Sequence, residues 1–277
     1  MDTAGGPMVA VHNLSYGLLT PVLGYVMSCL GCFLGLRCTT RAREVRGSAR
    51  IRWLLLAAVS LGVPGIWGMH FIAMLGFTIP GQIIRYSVPV TIFSMLIAVV
   101  VVSIGLLVVG FGGDGLGPLL TGGLVIGLGV ASMHYIGMWA MRMPDTMHYS
   151  AGLVVLSVII AVVTGTVALL AALRLDTVWS ALVACLIMGV AVSGMHYTGM
   201  AALHVHTSAA AMGLAGMQGG TRASSFLVPL IFGISILTIV LTSAISLSPT
   251  EAELRREDEF IERITSNYDG HSGRDSS

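Results

Sequence analysis

Hydrophobic residues in this chain come in long unbroken runs, not in the alternation of half-buried strands or the heptads of a coiled coil. Seven runs reach the roughly 20 residues needed to cross a bilayer. They cover about 14–36, 52–75, 88–111, 117–140, 151–173, 179–202 and 226–247, and they contain no carboxylate. In lipid each segment must satisfy its own backbone hydrogen bonds, so each run predicts an α-helix. The fold class expected is an all-α integral membrane protein of seven transmembrane helices. The chain divides into an extracytoplasmic N-terminal segment (1–13), a seven-helix membrane domain (14–247) and a polar cytoplasmic tail (248–277). The first run is of spanning length and no Lys or Arg precedes it, so a cleaved signal peptide is not expected. No stretch reads as a separate soluble catalytic domain, and the chain is not expected to be an enzyme.

Composition agrees: 55% of residues are hydrophobic and 10% charged. Lys is absent, so all 14 basic residues are Arg, and they are unevenly placed. Arg37, Arg41, Arg43, Arg46, Arg50 and Arg52 fall in the first connection, Arg174 follows the fifth run, and Arg255, Arg256, Arg263 and Arg274 lie in the tail. Only Arg85, Arg142 and Arg222 belong to the other side. The excess of basic residues marks the cytoplasmic face, which puts the N-terminus outside and the C-terminus inside. The net charge of +1 gives nucleic-acid binding no support, since the basic loop is the ordinary topology signal. The lack of intramembrane carboxylates argues against a proton-coupled transporter, which uses them as relays.

One phrase recurs three times, near the outer end of runs two, four and six: Met69-His70-Phe71-Ile72-Ala73-Met74, Met133-His134-Tyr135-Ile136-Gly137-Met138 and Met195-His196-Tyr197-Thr198-Gly199-Met200. The histidines are 64 and 62 positions apart, about two membrane crossings with their connections. This predicts three helix pairs, each carrying one Met-His motif, plus a final helix. At about 100° per residue a histidine and the methionine four positions later share a helix face. His70 with Met74, His134 with Met138 and His196 with Met200 are therefore expected around one small cavity. Met69, Met133 and Met195 sit about 100° the other way, and their flexible side chains extend the candidate metal set. The flanking small residues Gly68, Ala73, Ser132, Gly137, Gly194 and Gly199 are expected to let helices approach closely. Phe71, Tyr135 and Tyr197 read as packing or interfacial anchors.

Neutral soft thioethers beside borderline imidazoles suit copper best, Cu(I) in particular. Zinc would be expected to recruit thiolate or carboxylate, and calcium and magnesium need oxygen ligands. Haem is a lower alternative, because His and Met both serve as its axial ligands. An intramembrane ionisable residue marks a functional site by default, and three at one depth strengthen the case.

These phrases and the seven-run layout resemble the bacterial MHYT domain, an integral-membrane sensor module, over about residues 14–247. The resemblance implies a bacterial inner-membrane sensor with a copper site responding to oxygen, carbon monoxide or nitric oxide. It carries the motif roles onto Met69, His70, Met74, Met133, His134, Met138, Met195, His196 and Met200. The first copy departs with Phe71 for Tyr and Ala73 for Gly, sparing the His and both Met. Family members often continue into cyclic-di-GMP or kinase domains; this chain reads as a stand-alone form. Its expected partners are the lipid bilayer, a diatomic gas and a separate cytoplasmic output protein docking on the tail, where 251–264 reads as a fraying helical extension. An alternative of another class is copper handling: capture, storage or transport. Met141, Met143, Met147 and His148 in one outer loop and His204, His206, Met212 and Met217 in another favour capture, and the first group is expected to form an entry funnel toward the motifs. Cys29 and Cys32 read as apolar filler, and no disulfide framework is implied.

The arginine asymmetry has a direct test. A reporter active only outside the cytoplasm should be active when fused after Met147 or Met212 and silent after Gly47 or Arg256; the opposite pattern would invert the topology.

Overall fold

The computed structural model describes residues 8–9, 11–80, 83–113, 115–143, 146–175, 177–206, 220–248 and 260–261. Its helices are α1 (Leu19–Glu44), α2 (Gly47–Ser60), a π-helical stretch (Leu61–Gly68), α3 (Met69–Met74), α4 (Val88–Gly112), α5 (Leu116–Trp139), α6 (Ala151–Arg174), α7 (Val178–Ala201) and α8 (Ala223–Leu247). Because α2, the π stretch and α3 run on as one rod, seven rods among the described residues are long and apolar enough to cross a membrane. The protein is a multi-pass membrane protein with seven transmembrane helices. Among the described residues, the tail is represented only by Ser248, Phe260 and Ile261; the rest of 251–264, like Met212 and Met217, lies outside them.

The first span differs from expectation. The apolar run suggests 14–36, whereas α1 begins at Leu19 and continues to Glu44. Arg37, Arg41 and Arg43 thus belong to α1, and Arg50 and Arg52 to α2; of the six arginines only Arg46 lies between the helices. Helix continues here because the guanidinium groups find partners. Arg43 donates to the carbonyls of Leu173 (2.8 Å) and Leu175 (2.7 Å), at the C-terminal end of α6. Arg41 donates to the Ser248 carbonyl (3.0 Å) beyond α8. Helix C-termini expose unpaired carbonyls with partial negative charge, and arginine satisfies both the hydrogen bonds and the dipole.

Six rods close into a ring in which α1 touches α2, α2 touches α4, and the sequence runs on through α5, α6 and α7 back to α1. Inside it α3, α5 and α7, the motif carriers, also touch one another. The last helix, α8, stands outside the ring against α1, the π stretch and α3. Close approach rests on glycines, since lipid offers no hydrophobic drive between helices. A Cβ on Gly31 of α1 would strike the backbone of Gly65 in the π stretch. Pro64 lies within that stretch. Proline lacks an N–H and crowds the preceding turn of an α-helix, and a wider π turn accommodates it. Trp67 ties the stretch to α4 by donating to Ser94 Oγ at 3.0 Å.

The connections on the motif side form two small antiparallel sheets that hydropathy does not reveal. Their strands are β1 (Met8–Val9), β2 (Arg85–Tyr86), β3 (Met141–Arg142), β4 (Thr146–Tyr149), β5 (Leu203–His206) and β6 (Thr221–Arg222). They are ordered β1-β5-β4 and β3-β2-β6.

The Arg43 fork should matter to stability. Arg43→Ala should lower thermal stability in detergent by about 1.5–3 kcal/mol, the range for charge-assisted hydrogen bonds. Arg43→Lys should recover only part of this, because an ammonium cannot span both carbonyls.

Candidate metal centre

His70 on α3, His134 on α5 and His196 on α7 meet at the centre of the ring, with exposures of 1%, 0% and 1%. Their Nδ1 atoms converge: His70 to His196 is 3.0 Å, His70 to His134 is 3.1 Å, and His134 to His196 is 3.3 Å. The rings stand edge to face at 80–87°, with centroids 4.9–5.1 Å apart. The centre of such a triangle lies about 1.8 Å from each nitrogen (the side divided by √3), close to the roughly 2.0–2.1 Å of a metal–imidazole bond. Among the described residues this is the one group of three or more His, Cys, Asp or Glu whose ligand atoms lie close enough to hold a metal ion.

The other ring nitrogens account for two motif glycines. Nε2 of His70 and Nε2 of His134 are buried without a hydrogen-bond partner. The first faces Gly137 and the second Gly199; a Cβ at either glycine would strike the ring. Sequence reasoning assigns these glycines to helix approach, whereas in the structure they make room for an imidazole from the neighbouring motif. Gly194 meets nothing, and Gly68 faces Ile234 of α8.

All six motif methionines are buried. Met74, Met138 and Met200 each follow their histidine by one helical turn. Met69 packs over Gly24 of α1, and Met195 lines a cavity on the arginine side of the triad. That cavity holds about 60 Å³ and is almost wholly apolar. Ile66, Val130 and Val192, each four residues before a motif histidine, line it, as do Ser28 and Cys32. The sequence signal was present in that shared offset, but an apolar residue in an apolar run carries no mark of a cavity.

The aromatics extend the site outward. Each motif histidine makes an edge contact with the ring after it, Phe71, Tyr135 or Tyr197, at 4.7–4.9 Å. Tyr135 hydrogen-bonds Ser157 of α6 at 2.7 Å, and its ring meets that of Tyr149 on β4 at 5.8 Å. Burial pushes the Tyr149 hydroxyl up to about 12, helped by Tyr135, so it stays protonated and donates to Met147 Sδ. Met141, Met143 and Met147 line one cleft with Tyr86 and Trp139, but only Met147 is partly exposed.

Two segments of the chain, residues 64–122 and 127–185, match the MHYT repeat, described as a bacterial signalling protein N-terminal repeat. The chain belongs to the MHYT family. The two MHYT matches take in the first and second motifs, each with the helix that follows it. The cyclic di-GMP phosphodiesterase NbdA of Pseudomonas aeruginosa is 37% identical over 70% of this chain and 25% of its own length. The bifunctional diguanylate cyclase/cyclic di-GMP phosphodiesterase MucR of the same organism is 31% identical over 87% and 35%. The signaling protein YkoW of Bacillus subtilis is 27% identical over 73% and 26%. The chain thus spans about a quarter to a third of the length of these three relatives. No solved structure matches it.

The seat under His134 can be probed on one helix. Gly199→Ala should destabilise the protein by about 1–3 kcal/mol, the cost of overpacking a buried contact, while Gly194→Ala on the same helix should be neutral or slightly stabilising. Equal melting curves for the two variants would remove the seat.

Proposed function

We propose that this MHYT protein is a membrane sensor whose signal is received at a copper ion held by His70, His134 and His196. The observation that carries this reading is the convergence of three buried Nδ1 atoms. Met74, Met138 and Met200 supply thioethers one turn away, and Met133 is buried on the same helix as His134. Met69 and Met195 are turned toward Gly24 and the cavity, so the proposal rests on the histidines and the second methionines.

Charge favours the monovalent ion. The cluster is made of imidazoles alone and contains no carboxylate to offset a second positive charge. The cost of burying an ion grows with the square of its charge, so for a divalent cation it is about four times that for Cu(I). Haem fits poorly, because rings 4.9–5.1 Å apart leave no slot for a macrocycle between them. Copper would supply an electron-rich centre able to bind a diatomic gas or to change redox state. The apolar cavity one turn from the triad favours gas: oxygen, carbon monoxide and nitric oxide are apolar solutes, and a cavity of this lining excludes water.

The near-complete burial of the triad also favours sensing over copper transport, since a closed centre retains its ion. The arginine excess favours a centre near the outer face of a bacterial inner membrane. The activities named for NbdA and MucR point to an output in cyclic di-GMP turnover, reached through a cytoplasmic partner that reads the tail.

Elemental analysis of the purified protein tests the assignment. The parent should retain a small fixed number of copper ions, and the His70→Ala/His134→Ala/His196→Ala variant should retain at least tenfold less while still inserting. Equal copper in the two proteins would sink the site, and copper turning over in many equivalents would favour transport.

A further inference from the structure

The short ribbon made by β4 and β5 carries a second collection of imidazoles, separate from the triad. Its antiparallel register places His148 opposite His204 and Thr146 opposite His206. Side chains alternate along a strand and match across a pair, so His148, His204 and His206 share one face. Tyr149, Met147, Leu203 and Val205 take the other. Burial follows the division on β5, where Leu203 and Val205 are buried, His204 is exposed and His206 half-buried; on β4 both His148 and Tyr149 are exposed. The His148 and His206 rings stand edge to face with centroids 5.2 Å apart. That nearly equals the 4.9–5.1 Å separations within the triad, where the ring nitrogens converge.

We propose that His148 and His206 form a solvent-facing two-imidazole site for a divalent first-row cation, copper(II) foremost, with water in its remaining positions. Directly opposed residues on an antiparallel ribbon have Cβ atoms about 4.5–5.5 Å apart, and diagonal neighbours remain within reach of long side chains. Imidazole suits copper, nickel and zinc, and copper(II) heads the affinity order for divalent ions. The physics is the reverse of the buried centre's. Water and open coordination positions stabilise a divalent charge at the surface, whereas the closed triad disfavours it. The two centres therefore sort the two oxidation states. They are also linked covalently and through rings: β5 begins two residues after α7 ends, and Tyr149, next to His148, leads through Tyr135 to His134.

The test is copper(II) titration of the full chain without a polyhistidine tag, followed by electron paramagnetic resonance, which is blind to Cu(I). The parent should give a nitrogen-coordinated copper(II) signal saturating near one equivalent. The His148→Ala/His206→Ala variant should lose it or need at least tenfold more copper. The triad variant should keep it, and a single His134→Ala substitution serves if the triple variant does not reach the membrane. A parent-like signal in the ribbon variant, or a signal lost with the triad and kept without the ribbon histidines, would overturn the proposal. Failure of the buried copper assignment leaves this outcome untouched, because each centre has its own variant.

Discussion

Three imidazole nitrogens within 3.0–3.3 Å of one another, closed off from water, form the constraint around which this membrane domain is arranged. A neutral imidazole has one N–H and one lone pair. When three Nδ1 atoms face a common point, no choice of tautomers gives every pair a donor and an acceptor. A buried polar atom without a partner costs about 1–3 kcal/mol. A cation at the centre would accept all three lone pairs at once and leave the remaining protons on Nε2. For His70 and His134 those protons would face Gly137 and Gly199 without a hydrogen-bond partner, a cost that three metal–nitrogen bonds would offset.

The rest of the bundle serves this convergence. Each motif helix must come close enough to offer a ring at the same depth, and lipid gives no hydrophobic reward for doing so. Backbone approach at Gly31 and Gly65 brings α1 onto the second rod, and Trp67 fastens that rod to α4. On the arginine side, Arg41 and Arg43 close the ends of α8 and α6, so the helix ends far from the triad are tied as well.

What the sequence made legible follows from how strongly each feature is encoded. Seven spans were readable because an uncharged apolar run of about 20 residues matches the thickness of a bilayer and greatly exceeds a buried strand. The triad was readable because His70, His134 and His196 repeat with their neighbours at near-constant spacing. The strands were not: two to four residues such as Arg85–Tyr86 or Leu203–His206 are too short for a period-two pattern to rise above chance. The extension of α1 to Glu44 was hidden because hydropathy ends at the first arginines, whereas the helix ends where Arg41 and Arg43 have found carbonyls. The π stretch around Pro64 and the cavity beneath the triad depend on how rods pack, and no local pattern reports that.

The place of α8 has a consequence for how such a domain can speak. Six helices form a nearly threefold ring, and in it the three motifs are close to equivalent. The seventh breaks that equivalence: it lies outside, against α1, the π stretch and α3, with Ile234 against Gly68, two residues from His70. The chain therefore leaves the membrane from a helix seated on one motif in three. A displacement of His70 has a short mechanical route to Ser248, and one of His196 can reach it through α1, which touches both α7 and α8. A near-symmetric centre is thus joined to an asymmetric exit, through the rod that holds Pro64.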